Sequence, residues 1–230
     1  MAYNTVGVVN LGLLRIGANI IFDLSDKTPN AIKANAVFPY LLDEVLQAKD
    51  WRFAKTRVQL QKITDAPGYA YQYAYALPAD FLRLVKPHKP PSIGRNLLAS
   101  FLFSDPVGYH SGVDWDPPVF PQGFAYIIET MPTDGGKYLL TNYNNSDVGL
   151  WINYIQQITD ATKFTPAFIN CLANRIAAEL AIPITEDKQK STGYMQEYRD
   201  SLQSAEAINE SLDYLEDEAG GNEWKNAGRG

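Results

Sequence analysis

Residues 164–217 most constrain the fold, because they show the pattern of two long helices joined by a very short connection. Thr165 followed by Pro166 is a typical helix start, since the threonine oxygen caps free backbone amides and proline suits the first helical turn. We expect Pro183 to end this helix and Thr185 to cap the next one. Helices joined by about three residues pack antiparallel, and other helices must then cover the apolar side of the pair.

Both predicted helices carry apolar residues at spacings of three and four, which indicates one continuous buried face on each. Cys171 lies in the first helix, where we expect a buried core residue rather than a nucleophile. The apolar face of the first helix comprises Phe168, Ile169, Leu172, Ala173, Ile176, Ala177 and Leu180. That of the second comprises Met195, Tyr198, Leu202, Ala205, Ile208, Leu212 and Leu215.

Two further helices are predicted near the N-terminus, and they are the natural partners of the first pair. Thr5 is expected to cap a short helix that Gly17 ends, because glycine readily adopts the left-handed conformation of a helix terminus. Thr28 and Pro29 repeat the cap-then-proline signal, and Pro39 should kink the helix that follows. The expected buried positions are Val6, Val9, Leu13 and Ile16, then Ala34, Val37, Leu41, Val45 and Ala48.

Between Trp51 and Ile158 the apolar pattern changes to the two-residue period of β-strands. In residues 69–77, tyrosines and Leu77 alternate with smaller residues, which predicts a half-buried strand. The sequence leaves open whether its tyrosine side belongs to the core or to an interface, and packing favours the core. Residues 124–131 and 137–141 are predicted to form a hairpin around Asp134 and Gly135. Other predicted strands cover residues 52–63, 81–86 and 148–158.

These patterns together predict an α+β fold. Residues 1–50 and 159–217 should form a discontinuous four-helix bundle from both ends of the chain. An antiparallel β-rich domain at residues 51–158 should be inserted between the two halves of the bundle. Residues 218–230 are predicted to be an extended C-terminal tail.

Residues 87–122 follow no structural period and contain seven of the chain's 14 prolines. A long irregular loop inside a compact domain is usually functional or disordered, and its aromatic content favours contact with a partner. The candidate contact residues in this loop are Phe101, Phe103, Tyr109, Trp115 and Phe120.

The acidic charge of the chain is concentrated towards its C-terminus. The net charge is −6, and residues 200–218 hold seven carboxylates with no lysine or arginine. Tight nucleic-acid binding depends on basic residues, so this balance argues against it. Trp224, Lys225 and Arg229 follow two glycines, and a tryptophan in a polar tail suggests an arm for a partner. No apolar run approaches the roughly 18–20 residues of a membrane span and no signal-peptide pattern is present, so we expect synthesis in the cytoplasm.

Groups that carry out chemistry are scarce in this sequence. The two histidines, His88 and His110, both lie in the proline-rich loop. Asp105, Asp114 and Asp116 lie near His110, which leaves open a metal-dependent hydrolase, although the spacing fits no standard ligand pattern. We therefore expect no enzyme activity, no cofactor and no metal, and we keep the hydrolase and a monomeric binding module as alternatives.

Several short motifs, in matching order and spacing over most of the chain, resemble the tail tubular protein A family, the head-to-tail adaptors of short-tailed bacteriophages. The loop at residues 87–122 is longer than that family leads one to expect. The motifs are Leu14-Arg15-Ile16-Gly17, Phe38-Pro39, Asp50-Trp51-Arg52-Phe53-Ala54, Tyr73-Ala74-Tyr75-Ala76-Leu77-Pro78-Ala79-Asp80, Phe164-Thr165-Pro166, Ala177-Ala178-Glu179-Leu180-Ala181 and Ile182-Pro183-Ile184-Thr185.

The resemblance implies a structural protein of the virion, located in the phage tail and made in the host cytoplasm. It implies a homo-oligomeric ring of about twelve copies below the portal protein, with DNA passing through the lumen without specific binding. It further implies contacts with a nozzle protein like tail tubular protein B and with the tail fibres. In that family the C-terminal segment contacts the portal. Here the corresponding residues are Asp213, Tyr214, Leu215, Trp224, Lys225 and Arg229.

Overall fold

The computed structural model describes residues 4–63, 70–85, 126–131, 135–142 and 150–226, with side chains up to residue 207. The described residues form four helices and two small antiparallel sheets, which confirms a mixed α+β fold. The helices are α1 (Thr5–Ile16), α2 (Pro29–Ala48), α3 (Pro166–Thr185) and α4 (Lys188–Asn226). The strands are β1 (Lys55–Leu60), β2 (Tyr73–Ala76), β3 (Phe81–Leu84), β4 (Tyr126–Thr130), β5 (Lys137–Thr141) and β6 (Leu150–Gln156).

Side-chain caps define where α1, α2 and α3 begin. Thr28 and Thr165 cap α2 and α3 as predicted, each accepting a hydrogen bond from an amide of the first turn. The cap of α1 is Asn4 rather than Thr5, with the Asn4 side chain accepting from the Gly7 amide at 2.7 Å. Asparagine caps at least as well as threonine, so the residue one position earlier takes the role. Gly17 ends α1 with a φ of 79°, which confirms the predicted glycine cap.

The connection between α3 and α4 differs from the prediction. Pro183 lies inside α3, which ends at the left-handed Glu186. Near a helix end a proline removes only one backbone hydrogen bond, and the next turn is held because the Glu186 amide still bonds to the helix. The Thr185 hydroxyl donates back to the Ala181 carbonyl, so it does not cap α4. Asp187 does so instead, accepting from two amides of the first turn of α4.

Helix α3 packs against α1, α2 and α4. Every residue of its predicted apolar face is buried, as is Cys171, whose thiol pKa is raised by that burial. On α4, Tyr198 and Ala205 are buried while Met195 and Leu202 are half-buried. These exposures confirm the predicted faces for the described side chains. The corresponding side chains of Ile208, Leu212 and Leu215 lie outside the described part.

By length and composition α3 meets the requirement for a membrane-spanning helix, contrary to the sequence-based expectation. It has 20 residues, and its most apolar stretch of 18 residues has a mean hydropathy of 1.3. Within the protein, 61% of that stretch is buried. The central helix of a soluble domain satisfies the same criterion, because it must also be apolar on most sides.

A glycine allows α1 to approach α3 closely. A Cβ atom at Gly12 would lie 2.6 Å from Ile176 Cγ2 and 3.2 Å from the Ala173 carbonyl oxygen. The first separation is shorter than two non-bonded carbon atoms ever approach each other, so a larger residue would force the helices apart. Gly12 was not singled out from the sequence, because an interhelical contact leaves no local pattern.

The predicted buried positions of α1 and α2 are only partly correct. On α1, Val9, Leu13 and Ile16 are buried, whereas Val6 is half-buried. On α2 the predicted Ala48 is exposed and Val37 is half-buried. The buried set of α2 is Ala31, Ala34, Phe38, Leu41, Leu42, Val45 and Leu46. The predicted stripe therefore lay to one side of the true buried face.

The strands form two three-stranded sheets, in the orders β1-β6-β3 and β2-β5-β4. Strands β4 and β5 pair antiparallel, which confirms the predicted hairpin. β2 is shorter than predicted because Ala70 adopts a φ of 61°, outside the extended region. Tyr75 is buried and Tyr73 half-buried, which supports the core position predicted for the tyrosine side at β2. Ala74 is buried as well, so both sides of the strand are covered there.

The chain divides into two compact units. The helical unit comprises Met1–Thr56, Asp80–Arg83 and Tyr154–Gly230, and the strand unit comprises Arg57–Ala79 and Leu84–Asn153. In the helical unit, the rings of Trp51, Phe53, Phe164 and Phe168 form one cluster, with Trp51 edge-on to Phe168 at 4.9 Å. The Trp51 indole N–H donates to the Val45 carbonyl at 2.7 Å, so its polar group is satisfied within the core.

Replacing Gly12 with alanine should lower the free energy of unfolding by about 1–3 kcal/mol, because the new methyl group overlaps Ile176. The control is Gly193→Ala in α4, where a Cβ would meet nothing within 4 Å. That change should raise stability by up to about 1 kcal/mol, since alanine is the better helix former. Urea denaturation of both variants measures the difference. A Gly12→Ala protein as stable as the parent would contradict the close packing of α1 on α3.

Candidate interaction surfaces

The first part of α4 is fixed to α3 by side-chain hydrogen bonds to backbone carbonyls. Ser191 Oγ donates to the Ala178 carbonyl at 2.8 Å, and Asn174 Nδ2 donates to the Glu197 carbonyl at 3.3 Å. Moving forward along α4 thus corresponds to moving backward along α3, which is the predicted antiparallel arrangement. Asn174 is buried, so its bond to the Glu197 carbonyl also satisfies a side-chain amide that would be costly to leave unpaired in the core.

Helix α4 also covers the C-terminal end of α1. Lys190 Nζ donates to the Ile16 carbonyl at 3.2 Å, and the Tyr194 hydroxyl donates to the Arg15 carbonyl. These donors satisfy carbonyls that a helix end leaves free, and the lysine charge suits the negative end of the helix dipole. The Arg15 guanidinium donates to both the side chain and the carbonyl of Asn170. Burial lowers the pKa of Arg15, and the nearby Glu197 opposes that effect.

Ion pairs attach α2 and the residue that follows it to α3 and α4. Arg175 of α3 donates to Glu44 of α2 at 2.9 Å and to Glu179 at 2.8 Å. Burial acts to lower the pKa of Arg175, but the bonds to the two carboxylates outweigh it and the pKa is raised. Lys49, just after α2, pairs with Glu206 of α4. Residue 206 is therefore still part of the packed portion of α4.

Beyond residue 206, α4 continues past the portion of α3 that it packs against. The antiparallel pairing places the start of α3, at Pro166, opposite about residue 204 of α4, while α4 itself ends at Asn226. The remaining helix is about 30 Å long, at about 1.5 Å per residue. Residues 218–226 are helical rather than extended as predicted. Gly220 and Gly221 lie inside this helix, although glycine disfavours a helix interior by about 1 kcal/mol relative to alanine.

The predicted partner-binding residues fall in two regions. Asp213, Tyr214, Leu215, Trp224 and Lys225 lie on the backbone of the distal part of α4, but their side chains are outside the described part, as is Arg229. The aromatic loop residues also lie outside the described residues: Phe101, Phe103, Tyr109, Trp115 and Phe120. The residues of the alternative hydrolase site lie there too: His110, Asp105, Asp114 and Asp116. Among the described residues, no group of three or more His, Cys, Asp or Glu side chains could hold a metal ion.

Two exposed apolar surfaces of the helical unit were not predicted. The α1 face consists of Leu11 and Leu14 on α1 together with Ile20 and Phe22 on the loop that follows. The α2 face consists of Ile32, Ala36, Pro39 and Tyr40, spaced along the side of α2 opposite its buried residues. The sequence contained a signal for the α1 face, because α1 is apolar on nearly all sides. Helices of this kind are either buried on all sides or contact a partner.

A surface recess of about 640 Å³ lies beside the α2 face. It is lined by Tyr40, Asp43, Glu44, Gln47 and Ala48 of α2 and by Tyr198 of α4. Burial raises the pKa of Tyr198 to about 12, with a further contribution from the negative charge of Glu44. The recess is shallow and open, and it combines two aromatic rings with two carboxylates, so it disfavours an anion.

Strand β4 forms the edge of its sheet among the described strands, and all five of its residues are exposed. They include the apolar Ile127 and Ile128, which point to opposite sides of the strand. Exposed apolar edge strands readily pair with other chains, so proteins generally cover or shield them. β4 is thus a third candidate contact surface, in the strand unit.

Glu44→Gln should lower the pKa of Tyr198, because it removes one negative charge and frees Arg175, whose charge acts to lower that pKa. The matched control is Glu179→Gln, which removes the other carboxylate partner of Arg175. Ultraviolet difference titration against Tyr198→Phe identifies the transition. An unchanged Tyr198 pKa in Glu44→Gln would contradict the described geometry.

The same raised pKa makes stability depend on alkaline pH. A raised pKa favours the neutral phenol of the folded protein, so its stabilising effect is full below pH 10 and disappears as the pH rises towards 12. Chemical denaturation at a series of pH values should show a smaller loss of stability over this interval in Tyr198→Phe than in the parent protein.

Comparison with known proteins adds no relatives. No protein-family model matches the chain, and no curated protein sequence matches it. The resemblance to the tail tubular protein A family therefore rests on the sequence motifs.

Proposed function

We propose that this protein is a structural component of a short-tailed bacteriophage, an adaptor ring between the portal protein and the tail. The observation that carries the proposal is the ordered set of motifs over most of the chain. Several of these motifs contribute to the packing of the helical unit. Arg15 binds α3, Trp51 and Phe53 form the aromatic cluster, and Thr165 caps α3. A resemblance in residues with such roles supports a common fold, which is a firmer inference than similarity at isolated surface positions.

We propose in finer detail that the helices form a discontinuous four-helix bundle at residues 1–50 and 159–217, with residues 51–158 inserted as a β-rich domain. The packing of α1, α2 and α4 around α3 supports this arrangement. The grouping of N-terminal and C-terminal segments in one compact unit supports it as well. A bundle offers flat sides for lateral contact in a ring, while an inserted domain is free to serve a different partner.

The distal part of α4 is the proposed portal-binding arm, with contacts from Asp213, Tyr214, Leu215, Trp224, Lys225 and Arg229. Three features support this assignment: the length of helix beyond α3, the apolar spacing of Ile208, Leu212 and Leu215, and the excess of carboxylates. A helix with anchors at positions i, i+4 and i+7 can bind in an apolar groove. The carboxylates require basic residues around that groove.

The other proposed contacts follow the family. About twelve copies form the ring, and the aromatic loop residues bind the nozzle protein, like tail tubular protein B, or the tail fibres. DNA passes through the lumen without specific binding, for which an acidic chain is suitable because it repels phosphates. The protein is made in the host cytoplasm and becomes part of the virion tail. The activity requires no enzyme chemistry and no cofactor.

A chain ending at Ala207 should keep its fold but lose binding to the portal protein of the same virus. The fold should persist because this chain keeps Ser191, Glu197 and Glu206, through which α4 is bonded to α3 and to Lys49 after α2. Affinity should fall by about 100-fold or more, which corresponds to losing a few anchor residues. Thermal unfolding and binding to purified portal protein measure the two effects.

The matched control replaces residues 208–230 with a glycine–serine segment of equal length, which should also fail to bind. Normal particle assembly by the shortened protein would count heavily against the adaptor function. Stoichiometric metal in the purified protein, lost in His110→Ala, would favour the hydrolase instead. A chain that stays monomeric in portal complexes would favour the binding module.

A further inference from the structure

The portion of α4 that packs on α3 is the starting point for the rest of the helix. Hydrogen bonds from Ser191 and Asn174 join α4 to α3, and Glu206 pairs with Lys49. The antiparallel pairing then carries residues 207–226, the distal part of α4, past the start of α3. Starting a helix is unfavourable, whereas each further residue contributes according to its own preference and the charges near it. The sequence of the distal part therefore decides how readily α4 continues.

Acidic residues in the distal part of α4 have the spacing of helix neighbours. Residues three or four positions apart lie on the same side of a helix, and like charges at these spacings destabilise it. Asp213 has three such acidic neighbours in the sequence: Glu210, Glu216 and Asp217. Residues 200–218 contain no lysine or arginine that would offset this repulsion. The helix thus continues against the mutual repulsion of its own carboxylates.

Two glycines oppose the helix for a different reason. Gly220 and Gly221 lie inside α4, and glycine loses more backbone freedom on folding than any other residue. Trp224 and Lys225, two of the proposed portal contacts, follow the glycines in the same helix. Their positions therefore require that α4 continues through the acidic stretch and then through both glycines. A partner that stabilises the helix would also position these two residues.

We propose that a basic partner stabilises the distal part of α4 by neutralising its carboxylates, so that helix formation and partner binding are coupled. The inference rests on the proposed function in naming the portal protein as that partner. Cationic side chains placed beside the carboxylates remove the repulsion that opposes the helix. The arm then reaches its full length where a basic surface receives it, and part of the binding energy is used to form the helix.

An apolar contact alone would not produce this coupling. Ile208, Leu212 and Leu215 can bind in an apolar groove whether or not the carboxylates are neutralised. Binding would then depend little on ionic strength, and removing acidic charge would not weaken it. Coupling through charge predicts the opposite on both points.

Circular dichroism measures the helix signal of the distal part, as the difference between the full chain and the chain ending at Ala207. Poly-L-lysine is the basic probe, and the shortened chain with the same probe is the control. At low ionic strength the probe should raise the difference signal at least about twofold. Sodium chloride at about 0.5 M should abolish the increase, because salt screens exposed charges.

Two sets of substitutions separate the charge from the helix itself. Both should raise the helix signal of the free protein, the first by removing repulsion and the second by improving helix preference. The charge set should nevertheless weaken portal binding at least about tenfold, since it removes the groups that a basic surface binds. The glycine set should tighten portal binding about threefold or more, because less energy is used to form the helix. The charge set is Glu210→Gln, Asp213→Asn, Glu216→Gln and Asp217→Asn, and the glycine set is Gly220→Ala and Gly221→Ala.

Three results would overturn the proposal. One is an equal helix signal in the free parent protein and in the free charge set. Another is a parent protein whose difference signal does not change with poly-L-lysine. The third is portal binding that the glycine set weakens, or that the charge set leaves as strong as in the parent protein.

The coupling and the adaptor function can fail separately in these measurements. A helix gain with poly-L-lysine in a protein that does not bind portal protein would preserve the coupling and remove the adaptor function. Portal binding by a chain whose distal helix is equally formed with and without portal protein would preserve the adaptor function and overturn the coupling. Amide hydrogen exchange of residues 207–226 in the complex and in the free chain measures that difference.

Discussion

Helix α3 can leave water only when helices from both ends of the chain surround it, and this requirement organises the helical unit. Its buried residues point in several directions, towards α1, α2 and α4. No single neighbour can cover such a helix. The N-terminal and C-terminal segments must therefore meet, and the glycine at position 12 sets how closely α1 approaches. Everything else in the unit, including the surfaces left exposed, follows from which sides of the outer helices this packing uses.

Polar contacts then determine how the outer helices are oriented on α3. Arg15 binds Asn170, Arg175 binds Glu44, and Asn174 binds the α4 backbone. Apolar packing alone tolerates small rotations, whereas these bonds are satisfied in one arrangement only. Among the described residues, no buried side-chain nitrogen or oxygen lacks a hydrogen-bond partner. A fixed orientation would suit the proposed adaptor, because each of its exposed faces must then point in a defined direction.

Local signals predicted much of this fold, and features set by tertiary contacts were missed. The pairs Thr28–Pro29 and Thr165–Pro166 start helices because capping depends on a few adjacent atoms. Pro183 failed as a stop, since helix ends depend on what the following turn can bond to. The exposure of Tyr40 could not be read from the sequence, because it depends on which side of α2 is packed against α3. The predicted partner-binding residues were chosen from composition and from the family resemblance, and their side chains lie outside the described part.

The carboxylates of α4 affect how the proposed ring can assemble. Residues 200–218 carry seven carboxylates and no lysine or arginine in each copy. In the proposed ring, these carboxylates of neighbouring copies would repel one another until basic residues of a partner neutralise them. A portal with basic grooves removes that penalty for every copy at once. The ring would then form on its partner rather than in free solution, which keeps a protein made in many copies from assembling in the wrong place.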